Sequence, residues 1–417
     1  MISWILYRYC RTILLLPHPF AAGNASEELH FGLLAARRTG KRLVVIIPFQ
    51  LRGILRLPLL DFSLLDIESP YLRFRLFDPR LTPVRWTWTF WCGFLRLLSE
   101  CKQSVGLRPL SSQVVLPGRS QHLLWMPITK PKSLDWDAVR AMDWPRQFAT
   151  PLEVSLPVDT QTLGQAALKE MGVPTDGWFA CLHVREASTW NDGESPRNSD
   201  IGTYGELIDR ITAKGGWVIR MGDGSMTPMS TMHNVVDYAL SQWKSPAVDL
   251  FLTASCRVYV GTPSGILDLA SLLDRPRLIT NVPEPMWDLS YKPRDFTAHK
   301  SMVLVSTGEA VNPLHLLSRG IGYGNLDDIA VLPLSSRQLG SFADQFLKWM
   351  DDGFPEIPRD GRSLRYQRQF MEVVDRFADP RLDHDELLLQ KFRYASHLYA
   401  ASPERVFDTW SGDTTSS

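Results

Sequence analysis

The sequence has little of what would place it in a class at a glance. Its five cysteines (Cys10, Cys92, Cys101, Cys181 and Cys256) are scattered over 417 residues. Their odd number and the lack of a Cys-x-x-Cys pair argue against a disulfide framework and a zinc site, and fit a reducing cytoplasm. Charge of neither sign prevails, since Lys+Arg and Asp+Glu both stand at 45. No global field therefore draws in nucleic acid or an anionic membrane, and any anion site must be local. Long apolar runs are missing too: MISWILYRYCRTILLLPHPF is interrupted by Arg8 and Arg11 and stopped at Pro17, and reads as a buried strand instead of a signal peptide. The arginine-broken stretch VRWTWTFWCGFLRLL (Val84–Leu98) reads as an aromatic core or interdomain element, with peripheral contact at the inner membrane face as the alternative. Internal repeats and low-complexity tracts are absent, and no Asp-x-Asp closes a strand.

What is present suffices for two or three packed domains, with 44% hydrophobic residues to fill them. Near the start, a strand at Ile13–Pro17, a helix at Ala25–Thr39 and a β-branched strand at Leu43–Ile47 make one β-α-β unit. From about Gln50 to Met142 the periodicity is too weak to trace. The Pro-bearing WPRQFATPLEVSLPVD is the candidate linker, and a helix near Gln161–Met171 follows. Beyond it strands and helices alternate: Trp178–Val184, Tyr204–Lys214, Trp217–Met221, Val235–Asp237, Val248–Ser255, Val258–Val260, Ile266–Leu273 and Arg277–Thr280. Such alternation predicts a parallel, doubly wound α/β sheet, whose ligands lie beyond the strands' carboxyl ends. Amphipathic helices are expected at Phe342–Met350, Arg365–Phe377 and Glu386–Ala400. The expected domains are residues 1–155, 156–310 and a helical extension over 311–417.

Three strand-end loops can carry chemistry. CLHVREAS sends His183 and Arg185 to one face; the planar guanidinium of Arg185 can grip a diphosphate, and His183 can donate to the same anion. An arginine held by loop carboxylates and a strand-end histidine satisfied locally is the structural alternative. GGWVIRMGDGS ends a strand in a tight turn where Asp223 can accept from a sugar hydroxyl, while Arg220 points into the site or into an ion pair. In CRVYVGTPSGILDL the small-residue turn Gly261, Thr262, Ser264 and Gly265 precedes a helix, whose N-terminal N–H groups and dipole favour an anion. In the first unit, HPFAAGNASEEL puts Gly23 and Asn24 at another strand-to-helix turn. Glu27 or Glu28 beside it can serve as general base toward an acceptor hydroxyl, or can merely favour the helix's first turn. Asp192, Glu194 and Asp200 are the next acids in line.

LHVRE, RNSDI, GGWVIRMGD, VVDYA and DLFLTASCRVYVGTPSG together resemble a family of bacterial glycosyltransferases associated with surface-polysaccharide synthesis, over roughly Trp178 to Pro283. More distantly, the AAGN turn, the His-x-Arg strand end and the Gly-Thr-x-Ser turn are similar to fucosyltransferases that use a GDP-sugar on a GT-B scaffold. That resemblance implies two Rossmann-like domains facing a cleft, with C-terminal helices, and an arginine on the donor diphosphate that assists the leaving group, here Arg185. Gly261, Thr262 and Ser264 match the late turn. Glu186 and Ala187 depart from the fucosyltransferase pattern, where an arginine or glycine is common. The lack of Asp-x-Asp agrees with a GT-B enzyme that needs no metal, and no cofactor is expected. The implied activity is transfer of a hexosyl or fucosyl group from a nucleotide-diphosphate sugar to a glycan or lipid-linked acceptor, in the cytoplasm and without nucleic acid. A nucleotide-sugar epimerase or hydrolase, and a non-catalytic nucleotide-binding assembly protein, are the alternatives.

Overall fold

The computed structural model describes residues 12–15, 22–45, 62–75, 150–187, 195–283, 292–311 and 328–355. The aromatic segment Val84–Leu98, the helices expected at Arg365–Phe377 and Glu386–Ala400, and the acids Asp192 and Glu194 lie outside these residues. Two compact units divide the chain, one chiefly before and one chiefly after the Pro157/Val158 junction.

The first unit holds the expected β-α-β. Strands β1 (Thr12–Leu15), β2 (Arg42–Val45) and β3 (Leu72–Arg75) form a parallel sheet in that order, and helix α1 (Ala22–Thr39) connects the first two. Residues 25–36 of α1 are buried all round, with Ala25, Leu29, Leu33, Leu34 and Ala36 among the apolar ones. The helix lies so close to β2 that a Cβ on Gly32 would come within 2.9 Å of Leu43. Arg37 and Arg38 occupy its last turn, where the dipole favours cations. Gly40, at φ 62°, then ends it in the left-handed conformation that glycine adopts without strain. Part of the candidate linker belongs here: Arg37 Nη1 donates to the carbonyls of Thr150 (3.2 Å) and Pro151 (2.7 Å), and Ser155 forms an antiparallel bridge with Glu68.

The second unit begins with α2 (Val158–Glu170) and is built on a parallel sheet. Its strands are β4 (Phe179–His183), β5 (Trp217–Arg220), β6 (Val235–Val236), β7 (Val258–Gly261), β8 (Arg277–Val282) and β9 (Asp295–His299). Helices α3 (Gly205–Ala213), α4 (Pro246–Ser255) and α5 (Gly265–Leu272) lie between them in the chain. In space the order is β6-β5-β4-β7-β8-β9. The chain thus starts in the middle, winds outward through β5 and β6, returns to lay β7 on the other side of β4, and winds outward again. This is the Rossmann-like, doubly wound α/β architecture expected from the alternation, and its switch point lies between β4 and β7. Because helices cover such a sheet, the inner strands are continuously apolar, as FACL of β4 and VYV of β7 are, and both are buried.

Strand β9 was not anticipated; DFTAH alternates polar and apolar residues as a strand with one solvated face would, yet all five residues are buried. A two-stranded antiparallel pair, β10 (Ser301–Leu304) with β11 (Ile329–Leu332), follows, and then α6 (Ser336–Asp351). Ser335 and Gln338 cap α6 reciprocally. Its apolar stripe of Leu339, Phe342, Ala343, Phe346 and Leu347 joins Leu207, Ile208 and Ile211 of α3 in one core. Phe296 of β9 meets Phe342 and Phe346 edge-on at 5.9 and 6.0 Å. On the sheet's other helices, Gly164 of α2 lies so near Phe251 of α4 that a Cβ would overlap the ring at 1.9 Å.

Strand β8 contains a register shift between Ile279 and Val282, and within it Asn281 takes φ 53°. Its fully buried amide explains why this unusual backbone persists. Nδ2 donates to Tyr204 Oη (2.9 Å), and Oδ1 accepts from the Leu334 backbone N–H (2.8 Å). Tyr204 Oη in turn shares a hydrogen bond with Thr280 Oγ1 (2.8 Å). Among the described residues no helix is long and apolar enough to cross a membrane.

Candidate functional site

The topology brings the carboxyl ends of β5, β4 and β7 side by side, and with them all three loops singled out in the sequence. β4 and β7 pair so that His183 stands opposite Gly261. The crossing is tight: a Cβ on Gly261 would sit 2.9 Å from the His183 carbonyl oxygen, so glycine is required by close approach. Two further bonds lock the strand ends together. The Thr262 N–H donates to the His183 carbonyl (3.0 Å), and the Arg185 N–H donates to Thr262 Oγ1 (2.8 Å). Val184 is buried between a part-exposed His183 and a part-exposed Arg185, as the alternation of side chains predicts. Ser264 Oγ lies 3.0 Å from His183 Nδ1, which ties the turn before α5 to the histidine.

Burial, followed by the nearby charges of Lys244 and Arg185, lowers the His183 pKa from 6.5 to about 4, with Asp223 opposing. The imidazole is therefore neutral at physiological pH. If Ser264 donates to Nδ1, the ring proton resides on Nε2 and is available as a donor.

Arg220 is fully buried at the end of β5. Its Nη2 donates to Glu186 Oε1 (2.7 Å), and its Nη1 to the Thr227 carbonyl (2.7 Å) and to Asp237 Oδ1 (3.1 Å). Of the two directions open to it in the sequence, the ion pair is the one formed. Glu186, next to Arg185, thereby gains a role: it also accepts from the Thr227 N–H (2.9 Å) and pins the loop after β5. In that loop Gly222, at φ 153°, turns against Met226, whose sulfur a Cβ would strike at 2.3 Å. Asp223 Oδ1 accepts from the Ser225 N–H (2.9 Å) and closes the turn.

Lys244 and Asp249 were not singled out in the sequence, although both belong to this edge. Lys244 precedes α4, forms an ion pair with Asp249, and places its ammonium 5.3 Å from the centre of the Tyr238 ring. Burial raises the Asp249 pKa, and Lys244 opposes the rise. A lysine five residues from an aspartate carries no helical signature, so only the fold discloses the pair.

In the first unit, Gly23 and Asn24 lie within the first turn of α1, not in the turn before it, because the helix starts at Ala22. This corrects the expected start at Ala25. Glu27 and Glu28 follow in the same helix and are each only 4% exposed. Burial of both acids fits neither a solvated helix face nor simple first-turn electrostatics. Asp200 is exposed and accepts from the Gly202 N–H (2.8 Å), capping the short turn Ile201–Tyr204. Among the described residues no three His, Cys, Asp or Glu side chains gather closely enough to hold a metal ion.

No protein-family model matches the chain, and no curated protein matches it. Several solved structures are similar in backbone. The glycosyl transferase family 9 protein from Veillonella parvula is 11% identical over 81% of this chain and 97% of its own, with a TM-score of 0.44. Two Escherichia coli proteins are alike at a similar level. ADP-heptose LPS heptosyltransferase II shows 13% identity over 68% of this chain and 89% of its own (TM-score 0.39). Heptosyltransferase WaaC with ADP shows 14% identity over 69% and 91% (TM-score 0.33). Likeness at this level leaves the ligand to be argued from the residues at the sheet edge.

Proposed function

We propose that the protein is a glycosyltransferase that moves a hexosyl or fucosyl group from a nucleoside-diphosphate sugar to a glycan or lipid-linked acceptor during surface-polysaccharide synthesis, without a metal ion. The observation that carries the reading is the β4–β7 switch point. Arg185, a neutral His183 and the Gly261–Gly265 turn converge there in front of a helix N-terminus, where doubly wound sheets hold their ligands. Arg185 and the α5 dipole would stabilise the charge that grows on the diphosphate as the glycosidic bond breaks, and His183 would donate to the departing oxygen. Arg220 and Glu186 keep the neighbouring loop in place, so Asp223 is presented to the ligand from a fixed turn.

In this reading residues 156–310 form the donor domain, residues 1–155 present the acceptor around Gly23 and Asn24, and residues 311–417 are the helical extension. Glu27 or Glu28, both buried in α1, takes the acceptor's proton. Glu27→Gln and Glu28→Gln each test the base: one of them should lower kcat while sparing donor affinity, and normal turnover in both would move the base elsewhere. The function itself is tested by thermal-shift screening against ADP, GDP, UDP and CDP, then against sugars of the stabilising base, with product analysis in the presence and absence of acceptor. Hydrolysis or epimerisation alone would replace transfer as the activity; binding without turnover would make this an assembly protein.

A further inference from the structure

Lys300 follows directly on β9 at the same edge of the sheet and is only 4% exposed. Among the described residues its ammonium has one acceptor, the Asn198 carbonyl at 2.6 Å, and no carboxylate. A buried ammonium without an anionic partner is costly, and lysines are seldom buried unless paired. The peptide group that accepts from Lys300 has a second bond: its N–H, that of Ser199, donates to the Arg185 carbonyl at 2.9 Å. One peptide thus joins the lysine to the arginine at the switch point and holds the ammonium within roughly 8 Å of the Arg185 carbonyl oxygen. An ammonium has three protons, so further donors remain for a ligand.

Accordingly we propose that Lys300 is a second cationic group of the anion site, donating to a phosphoryl oxygen of the nucleoside diphosphate that Arg185 grips. The inference rests on the diphosphate reading above. Burial draws the lysine's pKa down to about 8, so the group remains charged at neutral pH, and a bound phosphoryl group would supply the counter-charge that the described protein residues do not. The competing role is a latch, in which Lys300 serves only to hold the Asn198–Ser199 peptide in place.

Two variants separate these roles. Lys300→Met removes both charge and hydrogen bond, whereas Lys300→Gln keeps a donor for the Asn198 carbonyl without the charge. Calorimetry at pH 7 would compare each with the parent for the nucleoside diphosphate that stabilises the parent best and for the corresponding nucleoside. Both variants should weaken the diphosphate by about 30-fold or more, the equivalent of about 2 kcal/mol for a charge-assisted contact, and the nucleoside less than about twofold. Their melting temperatures should hold or rise, because removing a buried charge that has no carboxylate partner among the described residues relieves its cost. Recovery of full diphosphate affinity in Lys300→Gln, or equal losses for diphosphate and nucleoside, would make Lys300 a latch and overturn the proposal while leaving the diphosphate reading intact. If the parent binds neither nucleoside diphosphates nor pyrophosphate, both fall together.

Discussion

The two ends of the second unit's sheet handle charge in opposite ways. At the amino end Arg277 opens β8 and Asp295 opens β9, directly opposite each other in register. Arg277 Nε donates to Asp295 Oδ1 (2.8 Å), and a second bond joins Nη2 to Oδ2, a two-pronged pair that is 1% and 0% exposed. The Lys292 N–H also donates to this carboxylate, to Oδ2 at 2.9 Å. At the carboxyl end the charges are spread over several elements and incompletely matched. Glu186 and Asp237 enclose Arg220, Asp249 holds Lys244, one carbonyl among the described residues meets Lys300, and a histidine stays neutral between cations. A closed pair of like strength serves folding; an edge whose cations are met unevenly leaves scope for a ligand to finish the arrangement.

That contrast can be broken experimentally. The largest effect is expected at the carboxyl end: Arg185→Ala should weaken donor binding by about 2–5 kcal/mol, and turnover should fall further because the group serves the transition state more than the ground state. Arg185→Lys should not rescue it, since a point charge lacks the guanidinium's fork. A less stable Arg185→Ala protein with unchanged donor affinity per folded molecule would refute the assignment. At the amino end the pattern should invert. Arg277→Ala, which strands a buried carboxylate, should lower unfolding free energy in urea by about 3–5 kcal/mol yet leave the folded fraction's donor affinity as it was. Loss of affinity without loss of stability there would erase the distinction between the two ends.

A smaller, pH-dependent effect should also trace to the carboxyl end. His183 and His299 both close strands there, and burial above all lowers them from 6.5 to about 4 and about 3. The unfolded chain then binds more protons than the folded one below pH 6.5, so stability should decline as pH drops from 6.5 toward 4, by up to a few kcal/mol. Urea titrations at pH 7 and 4.5 should show the decline, and His299→Gln should flatten it; an equal slope in the variant would assign the acid sensitivity to other groups. The smallest expected effect is zero. Chelator should change neither nucleotide affinity nor turnover, and losses restored by Mg²⁺ or Mn²⁺ would overturn metal independence.

The sheet's inner strands were legible because double-sided burial demands unbroken apolar runs, and FACL, WVI and VYV meet that demand. The strand-end loops were legible because glycine and small polar residues punctuate them. β9 was not, since an Asp and a His belong in a buried strand only when partners elsewhere accept them, and Arg277 lies 18 positions away. Arg220's fate was undecided for the same reason: its carboxylates come from positions 34 and 17 residues distant. Lys300 escaped notice because a lysine in isolation reads as solvated surface. The turn at Gly261 could be seen, but not why it must be glycine, which depends on a carbonyl from β4.

The Asn281 bulge offers a built-in clock for motion at this edge. The Leu334 N–H donates to a side-chain amide instead of a helix or sheet ladder, and the residue is 1% exposed. Its exchange with deuterium therefore requires the Asn281 contact to part, whereas ladder amides of β7 and β8 exchange only when strands separate. If ligand binding stiffens the edge, protection at this one backbone position should lengthen before that of the strands changes, which makes Leu334 a native reporter of occupancy without any label.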